Sequence, residues 1–280
     1  MNKIELQDSL MVLTAELSSA INGLPSGENL EPATQEVGKC DKHGEFTKWT
    51  RKIPFLKNKF ETKCPHCLRE EIKRIEEKLH SADSAGKQKI IESLKEQSGI
   101  PRRFVDASFN NYQETEKNRL AKLTCQRYAE KWAERFEQGG GLVFCGKPGT
   151  GKNHLACAIA NSVIEQHQAE VLLTTAMRII RKVKSTWDKG SSMSEEDVIR
   201  MYCQKDLLII DEVGVQFGTD AEKIILFEII NERYAQMLPT ILISNLTESE
   251  LSGYIGERII DRMKEGKGAV IKFDWESYRK

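Results

Sequence analysis

With 280 residues, 42 basic against 42 acidic side chains and a formal net charge of zero, the chain has length for one sizeable α/β core plus a smaller module, and no global field drawing it to nucleic acid. Any such affinity must come from local patches. Glu5, Asp8 and Glu16 interrupt the N-terminal apolar run, no stretch approaches a membrane span, and seven cysteines without a signal peptide indicate a reducing, cytoplasmic setting with thiols or metal ligands rather than disulfides.

In chain order, Leu6, Leu10, Leu13, Leu17 and Ile21 recur at spacings of three or four, which predicts an amphipathic helix over 3–22. LPSGENLEPA then breaks it, so residues 1–37 read as a helix and a flexible segment. Residues 38–70 form a candidate zinc module. Cys40 and His43 lie in CDKH, Cys64 and Cys67 in CPHC, and twenty residues separate the two knuckles. Tetrahedral Zn²⁺ takes four N/S donors, and paired ligands two residues apart reach one ion from a tight turn. His66, between the second pair, is a substitute ligand with less favourable spacing. Metal binding would supply folding energy that so small a module lacks. Between the knuckles, Lys48, Arg51, Lys52, Lys57, Lys59 and Lys63 alternate with Trp49, Phe55 and Phe60. Cations with aromatics suit a single nucleic-acid strand, but equally a packed ribbon with a solvated face or a protein partner.

Leu68, Ile72, Ile75 and Leu79 return to helical spacing, HSADSAG interrupts them, and a second helical run reaches Gln97. Residues 71–97 thus read as a helical connector. From SGIPRRF onward (98–280) short apolar runs alternate with amphipathic helices, the pattern of a parallel sheet. Strands are expected at 142–145, 171–174, 207–211, 240–244 and 269–273.

The first of these strands leads into GKPGTGKN and a helix, the order a phosphate-binding loop needs. Gly146, Lys147, Pro148, Gly149, Thr150, Gly151, Lys152, Asn153 and His154 make the nucleotide-binding run. The glycines let successive N–H groups point at phosphate oxygens, and Lys152 meets the outer phosphates. Asn153 stands where Ser or Thr would hold Mg²⁺. A carboxamide oxygen is still a hard, neutral ligand, one bond further from the backbone, so slow hydrolysis suited to a switch is expected. LLIIDE ends a buried strand in Asp211, a ligand for Mg²⁺ directly or through water, and Glu212, a general base for the attacking water. After TILI, Ser244 and Asn245 offer an amide to orient that water, or a simple turn. Arg258 and Arg262 share one helix face, either reaching a neighbouring subunit's γ-phosphate or pairing with Glu257, Asp261 or Glu265. Cys125, Cys145, Cys157 and Cys203 read as packing thiols.

Together GKPGTGKNHLA, LLIIDEVGVQ, GERIIDRM, FDWESYR and SGIPRRFVDASFNNY resemble the AAA+ ATPases, and more narrowly the DnaC-type loaders of replicative helicases, over residues 98–280. The resemblance implies an α/β fold: a P-loop core with a five-stranded parallel sheet and no C-terminal lid, here preceded by a small zinc-ribbon-like module and the connector. It also implies ATP and ADP with Mg²⁺ as ligands, self-association through the ATPase domain, single-stranded DNA, and delivery of a hexameric DnaB-type helicase onto that strand. Carried over by position, Lys152 is the phosphate lysine, Asp211 and Glu212 the metal and catalytic acids, Asn245 the sensor, and Arg258 and Arg262 the arginine-finger region. MRIIRKVKSTW (177–187) resembles the DNA-engaging helix of loader and initiator ATPases, with Lys184 for phosphate and Trp187 for base stacking. A solvated basic face is the plainer alternative. The N-terminal knuckles depart from bacterial DnaC and look similar to some phage and prophage relatives. An IstB-like transposition helper, or a zinc-containing DNA-binding adaptor with a structural nucleotide, are the other readings; the NHL loop ending and the FDWESYR tail favour the loader.

Overall fold

A computed structural model describes residues 3–26, 30–52, 59–188, 190–215 and 219–278. The chain divides into two compact units, residues 1–89 and 90–280.

In the first unit, α1 (Lys3–Asn22) buries Leu6, Leu13 and Ala20 together with Leu68 and Ile75 of α2 (Pro65–Gln97). Between them lies an antiparallel sheet of β1 (Thr34–Cys40), β2 (Gly44–Lys52) and β3 (Lys59–Glu61), in that spatial order. The register runs from Thr34 opposite Thr50 to Cys40 opposite Gly44, so the first knuckle is the hairpin turn itself. α2 runs unbroken through HSADSAG, where the sequence suggested an interruption. The reason is local. Ser81 and Ser84 return their hydroxyls to the Lys78 and His80 carbonyls at 2.9 and 2.8 Å, Ala82 and Ala85 are strong helix formers, and Gly86 alone costs about 1 kcal/mol against Ala.

The second unit is a three-layer α/β/α sandwich. Its parallel strands, β4 (Leu142–Gly146), β5 (Val171–Thr175), β6 (Leu207–Asp211), β7 (Thr240–Ile243) and β8 (Ala269–Phe273), lie in the order β5-β6-β7-β4-β8. All five fall where the apolar runs placed them, to within a residue at an end. Period-two alternation feeds two cores. Phe144 and Ile209 face α3 (Arg119–Glu130), α4 (Trp132–Gln138) and α5 (Lys152–His167). Val143, Cys145, Leu208 and Ile210 face α6 (Ala176–Lys184), α7 (Glu195–Cys203), α8 (Asp220–Ala235), α9 (Glu248–Ile255) and α10 (Glu257–Lys264). Cys125, Cys145, Cys157 and Cys203 are all buried in these layers. Capping boxes at Ser194/Asp197 and Thr247/Glu250 start α7 and α9, satisfying N-terminal amides reciprocally. No helix among the described residues is long and apolar enough to cross a membrane.

β4 and β7 are neighbours, but β4 leads to the far edge strand β5 while β7 leads to β8 beyond β4. Their C-terminal ends therefore open a crevice at a topological switch point, where such sheets bind ligands. Behind the sheet, Arg233 is fully buried in α8. It donates to Thr240 Oγ1 (3.0 Å) and to the carbonyls of Tyr202 (2.9 Å), Lys205 (2.7 Å) and Pro239 (2.6 Å). Burial pulls its pKa down to about 10, still well above neutrality, so the cation clamps the turns before β6 and β7. Arg233→Met should leave those carbonyls orphaned and cost about 3–5 kcal/mol, read as a lower urea midpoint for the ATPase unit.

Candidate nucleotide and metal sites

The loop between β4 and α5 carries Gly146, Gly149 and Gly151 at φ of 128°, 77° and 93°. Two of these glycines are required by space as well as torsion. A Cβ on Gly146 would stand 2.2 Å from the Phe273 carbonyl oxygen, and one on Gly151 2.8 Å from the Tyr112 ring. Around the loop lies a cavity of about 440 Å³, lined by Pro148, Gly149, Gly151, Lys152, Asn153 and His154 from the loop and helix start, and by Asp211, Glu212 and Asn245 from the ends of β6 and β7. The sheet thus brings together residues that the sequence spreads over more than ninety positions.

Lys152 folds its ammonium onto the Gly146 and Lys147 carbonyls at 2.6 and 2.7 Å, and Thr150 ties its hydroxyl to the Lys147 carbonyl at 2.8 Å. Asn153 donates from Nδ2 to Asp211 Oδ2 at 2.6 Å, while Asp211 Oδ1 accepts the Glu212 N–H at 2.7 Å. The carboxylate is thereby fixed in plane by two donors. Glu212 is a non-glycine residue at φ 59°, a conformation that costs free energy and clusters at functional sites. Ser244 takes no part in the cavity: its hydroxyl is buried on the Val213 carbonyl at 2.6 Å. His154 meets the Ser108 carbonyl (3.1 Å) and Asn111 Oδ1 (3.0 Å) through Nε2, two acceptors that require the proton on that nitrogen.

The opposite wall was not assigned from the motifs. Arg103, Phe104, Asn111, Tyr112, Gln113 and Tyr278 complete the cavity. All but Gln113, which follows directly, come from SGIPRRFVDASFNNY and FDWESYR, stretches conspicuous only by resemblance. Asn161, buried in α5, holds this wall by donating to the Val105 and Ala107 carbonyls at 3.1 and 2.9 Å. Gln216 and Arg279 of the motifs lie outside the described residues.

Arg258 and Arg262 do not line their own chain's cavity. Arg258 is exposed on α10, whereas the Arg262 guanidinium contacts Asn231 Oδ1 and lies 4.8 Å over the Tyr234 ring. The alternative pairing with Glu257, Asp261 or Glu265 is thus not what holds Arg262. On α6, Lys184 is not an open phosphate contact, because its ammonium is 2.9 Å from Glu222 Oε1, a nearly buried carboxylate. The pair draws the Glu222 pKa down. Arg178, Arg181 and Lys182 are the exposed cations of that helix. Trp187 is 54% exposed, with its indole N–H on Glu195 Oε2 at 2.8 Å.

In the first unit, the ligand atoms of Cys40, His43, Cys64 and Cys67 lie within 4.8 Å of one another. Cys40 and Cys67 sulfurs are 3.5 Å apart, and His43 Nδ1 is 3.6, 3.7 and 3.3 Å from Cys40, Cys64 and Cys67. Tetrahedral zinc with Zn–S near 2.3 Å sets such edges at about 3.5–3.8 Å, so three thiols and an imidazole of this spacing fit one Zn²⁺. His43 turns Nε2 to Glu70 Oε1 at 3.3 Å, the outer carboxylate that orients a ligating imidazole. Backbone N–H groups of Lys42 and His43 hold Cys40 down to about 6. His66 is exposed and outside the group. Of the intervening cations, Lys48 pairs with Glu61 at 3.1 Å and Lys63 with Glu16 at 2.9 Å. Arg51 reaches the Leu24 carbonyl at 3.4 Å, and Gly23 backs onto the Trp49 ring. Ion pairs and packing hold these four side chains, whereas Lys52, Lys59 and Phe60 stay exposed on β2 and β3; Phe55 and Lys57 lie outside the described residues.

A family model described as IstB-like ATP binding protein matches residues 73–280, beginning beyond the cysteine cluster. The chain is 38% identical to the replicative helicase loader DnaC of Buchnera aphidicola subsp. Acyrthosiphon pisum over 65% of its own length and 73% of that protein's. It is 37% identical to the replicative helicase loader DnaC of Escherichia coli K12 over the same shares, 65% and 73%. A crystal structure of the DnaC helicase loader has the same fold, with a TM-score of 0.55 at 21% identity, covering 62% of this chain and 99% of that one. A P-loop, an acidic strand end and a polar strand end meeting at one switch point, on a chain so related, leave one assignment: this protein belongs to the IstB-like ATP-binding family, among the AAA+ ATPases of the DnaC helicase-loader type.

Proposed function

We propose that the protein is an ATP-dependent loader that binds a hexameric replicative helicase in the cytoplasm and places it on single-stranded DNA, with slow ATP hydrolysis as the release switch. The observation that carries the nucleotide part is the Asn153–Asp211 bond of 2.6 Å beside the P-loop. It supports a cavity built for a triphosphate and a divalent ion. The loop N–H groups and Lys152 hold the phosphates, Glu212 takes a proton from the attacking water, and Asn245 orients that water against the γ-phosphate. Asn153 and Asp211 are the residues that would hold Mg²⁺: an amide oxygen and a carboxylate form a hard-oxygen set that suits it, and the bound ion neutralises charge on the phosphates. Asn153 gives one amide both tasks, donating to Asp211 through nitrogen and leaving its oxygen for the metal.

Arg258 and Arg262 do not line their own chain's cavity, so either would reach a γ-phosphate only from a neighbouring copy, in addition to the Arg103 that the chain supplies itself. Hydrolysis then depends on assembly, as a switch requires. The exposed cations of α6 with Trp187 are the strand-binding face, and Lys184 serves Glu222 instead. Zn²⁺ on Cys40, His43, Cys64 and Cys67 would supply folding energy to the N-terminal unit, whose residues up to 72 lie outside the family match and can carry partner choice.

Steady-state ATPase assays with and without single-stranded DNA test the site. Glu212→Gln should lower turnover by about 10²- to 10⁴-fold while ATP uptake by calorimetry persists; turnover lost in Asn153→Ala but intact in Glu212→Gln contradicts the assignment. Elemental analysis should give one zinc per chain. Cys64→Ser should lose the metal and the cooperative unfolding of residues 1–89, with ATP binding retained. Mixing the full chain with a replicative helicase, a transposase and single-stranded DNA separates loader from transposition helper: ATP-dependent co-elution with the hexamer is expected, and co-elution with transposase alone overturns the loader reading.

A further inference from the structure

The residues after β8 run back along the outside of the phosphate loop and are tied to it repeatedly. The Lys147 N–H donates to the Phe273 carbonyl at 3.0 Å and the Tyr278 N–H to the Gly149 carbonyl at 2.9 Å. The Trp275 indole Nε1 donates to the Thr150 carbonyl at 2.9 Å, and the Tyr112 hydroxyl reaches the same oxygen at 3.4 Å. Trp275 is buried against Phe273, ring centroids 4.9 Å apart. The far end is fastened too. The Tyr278 hydroxyl donates to the Gln113 carbonyl at 3.0 Å and receives the side-chain amide of Asn118. Asn118 is itself fully buried and accepts the Thr115 N–H at 2.7 Å.

These contacts fall on two particular peptide planes. In a trans peptide, C=O and N–H point in opposite directions. Fixing the Gly149 carbonyl therefore aims the Thr150 N–H, and fixing the Thr150 carbonyl aims the Gly151 N–H, away from the tail. Each plane has a glycine on one side, Gly149 or Gly151, both at positive φ, so torsion alone would let either plane rotate at little cost. An anion-binding loop needs its N–H groups converged before the ligand arrives. We propose that the segment Asp274–Tyr278 is a brace that sets the phosphate-facing N–H groups, with Trp275 and Tyr278 as positioning residues. The proposal rests on reading the cavity as a nucleotide site. It adds a reciprocal consequence: whatever tightens the loop on phosphate also tightens the tail, so the tail's docking reports nucleotide occupancy.

The test uses the full chain with MgATP and MgADP, by calorimetry, steady-state kinetics and hydrogen exchange at the Tyr278 amide. Trp275→Phe keeps a ring against Phe273 and removes the indole N–H. It should raise the Kd for both nucleotides about five- to tenfold, the scale of one hydrogen bond, and raise KM with kcat little changed. In the unmodified chain MgADP should slow exchange of the Tyr278 amide, and Trp275→Phe should diminish that slowing. Tyr278→Phe keeps the backbone donor and loses only the far anchor. It should shift Kd in the same direction by about two- to fivefold, and it decides the matter if Trp275→Phe does not fold. Wild-type affinity in whichever variant folds, or Tyr278 exchange indifferent to MgADP, overturns the brace. Absence of nucleotide uptake by the unmodified chain overturns the site reading and the brace with it, and is distinguished by that first titration.

Discussion

The connections from neighbouring strands β4 and β7 run to opposite sides of the sheet, and that divergence is the constraint on which the site depends. Parallel strands of one hand place all their carboxyl ends on one edge, so the loop after β4, the acids after β6 and the amide after β7 must meet there. No single residue could create this convergence. The two apolar layers hold it in place, and buried Arg233 pins the turns that deliver β6 and β7 to it. Stability and site geometry are linked through that cation: it lies behind the sheet, touches no ligand, and yet fixes where Asp211 and Asn245 emerge.

At the edge itself the chemistry is set by an amide in place of a hydroxyl. A Ser or Thr hydroxyl is short and would need a separate donor for Asp211. Asn153 reaches the carboxylate directly at 2.6 Å, and its longer side chain carries its oxygen further from the backbone than a hydroxyl would. With the Glu212 N–H on the other carboxylate oxygen, Asp211 is oriented from both sides.

Much of this was legible from residues alone, for reasons that can be named. Runs such as LLIID and TILI are buried on both faces, so their strands were plain. Glycines at 146 and 151 signal the loop because no other residue tolerates the close approach of Phe273 and Tyr112, and Gly149 supplies a third positive φ. The clustering of Cys40, His43, Cys64 and Cys67 was legible from spacing, since a turn and a helix start present pairs two residues apart. What escaped were matters of partner rather than type. Lys184 looks like any exposed lysine until Glu222, thirty-eight residues on, is seen to face it. HSADSAG carries residues that favour turns, yet its serines bond back within the helix. Tyr278 and Trp275 act through backbone carbonyls, which leave no mark in the sequence at the positions they touch.

The distribution of the seven sulfurs carries a chemical consequence of its own. Burial pushes Cys145 and Cys203 up to about 11 and Cys157 up to about 12, and raises Cys125 further, so these four remain protonated and shielded from electrophiles. The other three sit at the knuckles, where sulfur is held as thiolate by any bound ion. An alkylating agent would thus reach the partly buried knuckle thiols of Cys40 and Cys67 before the four thiols of the ATPase unit.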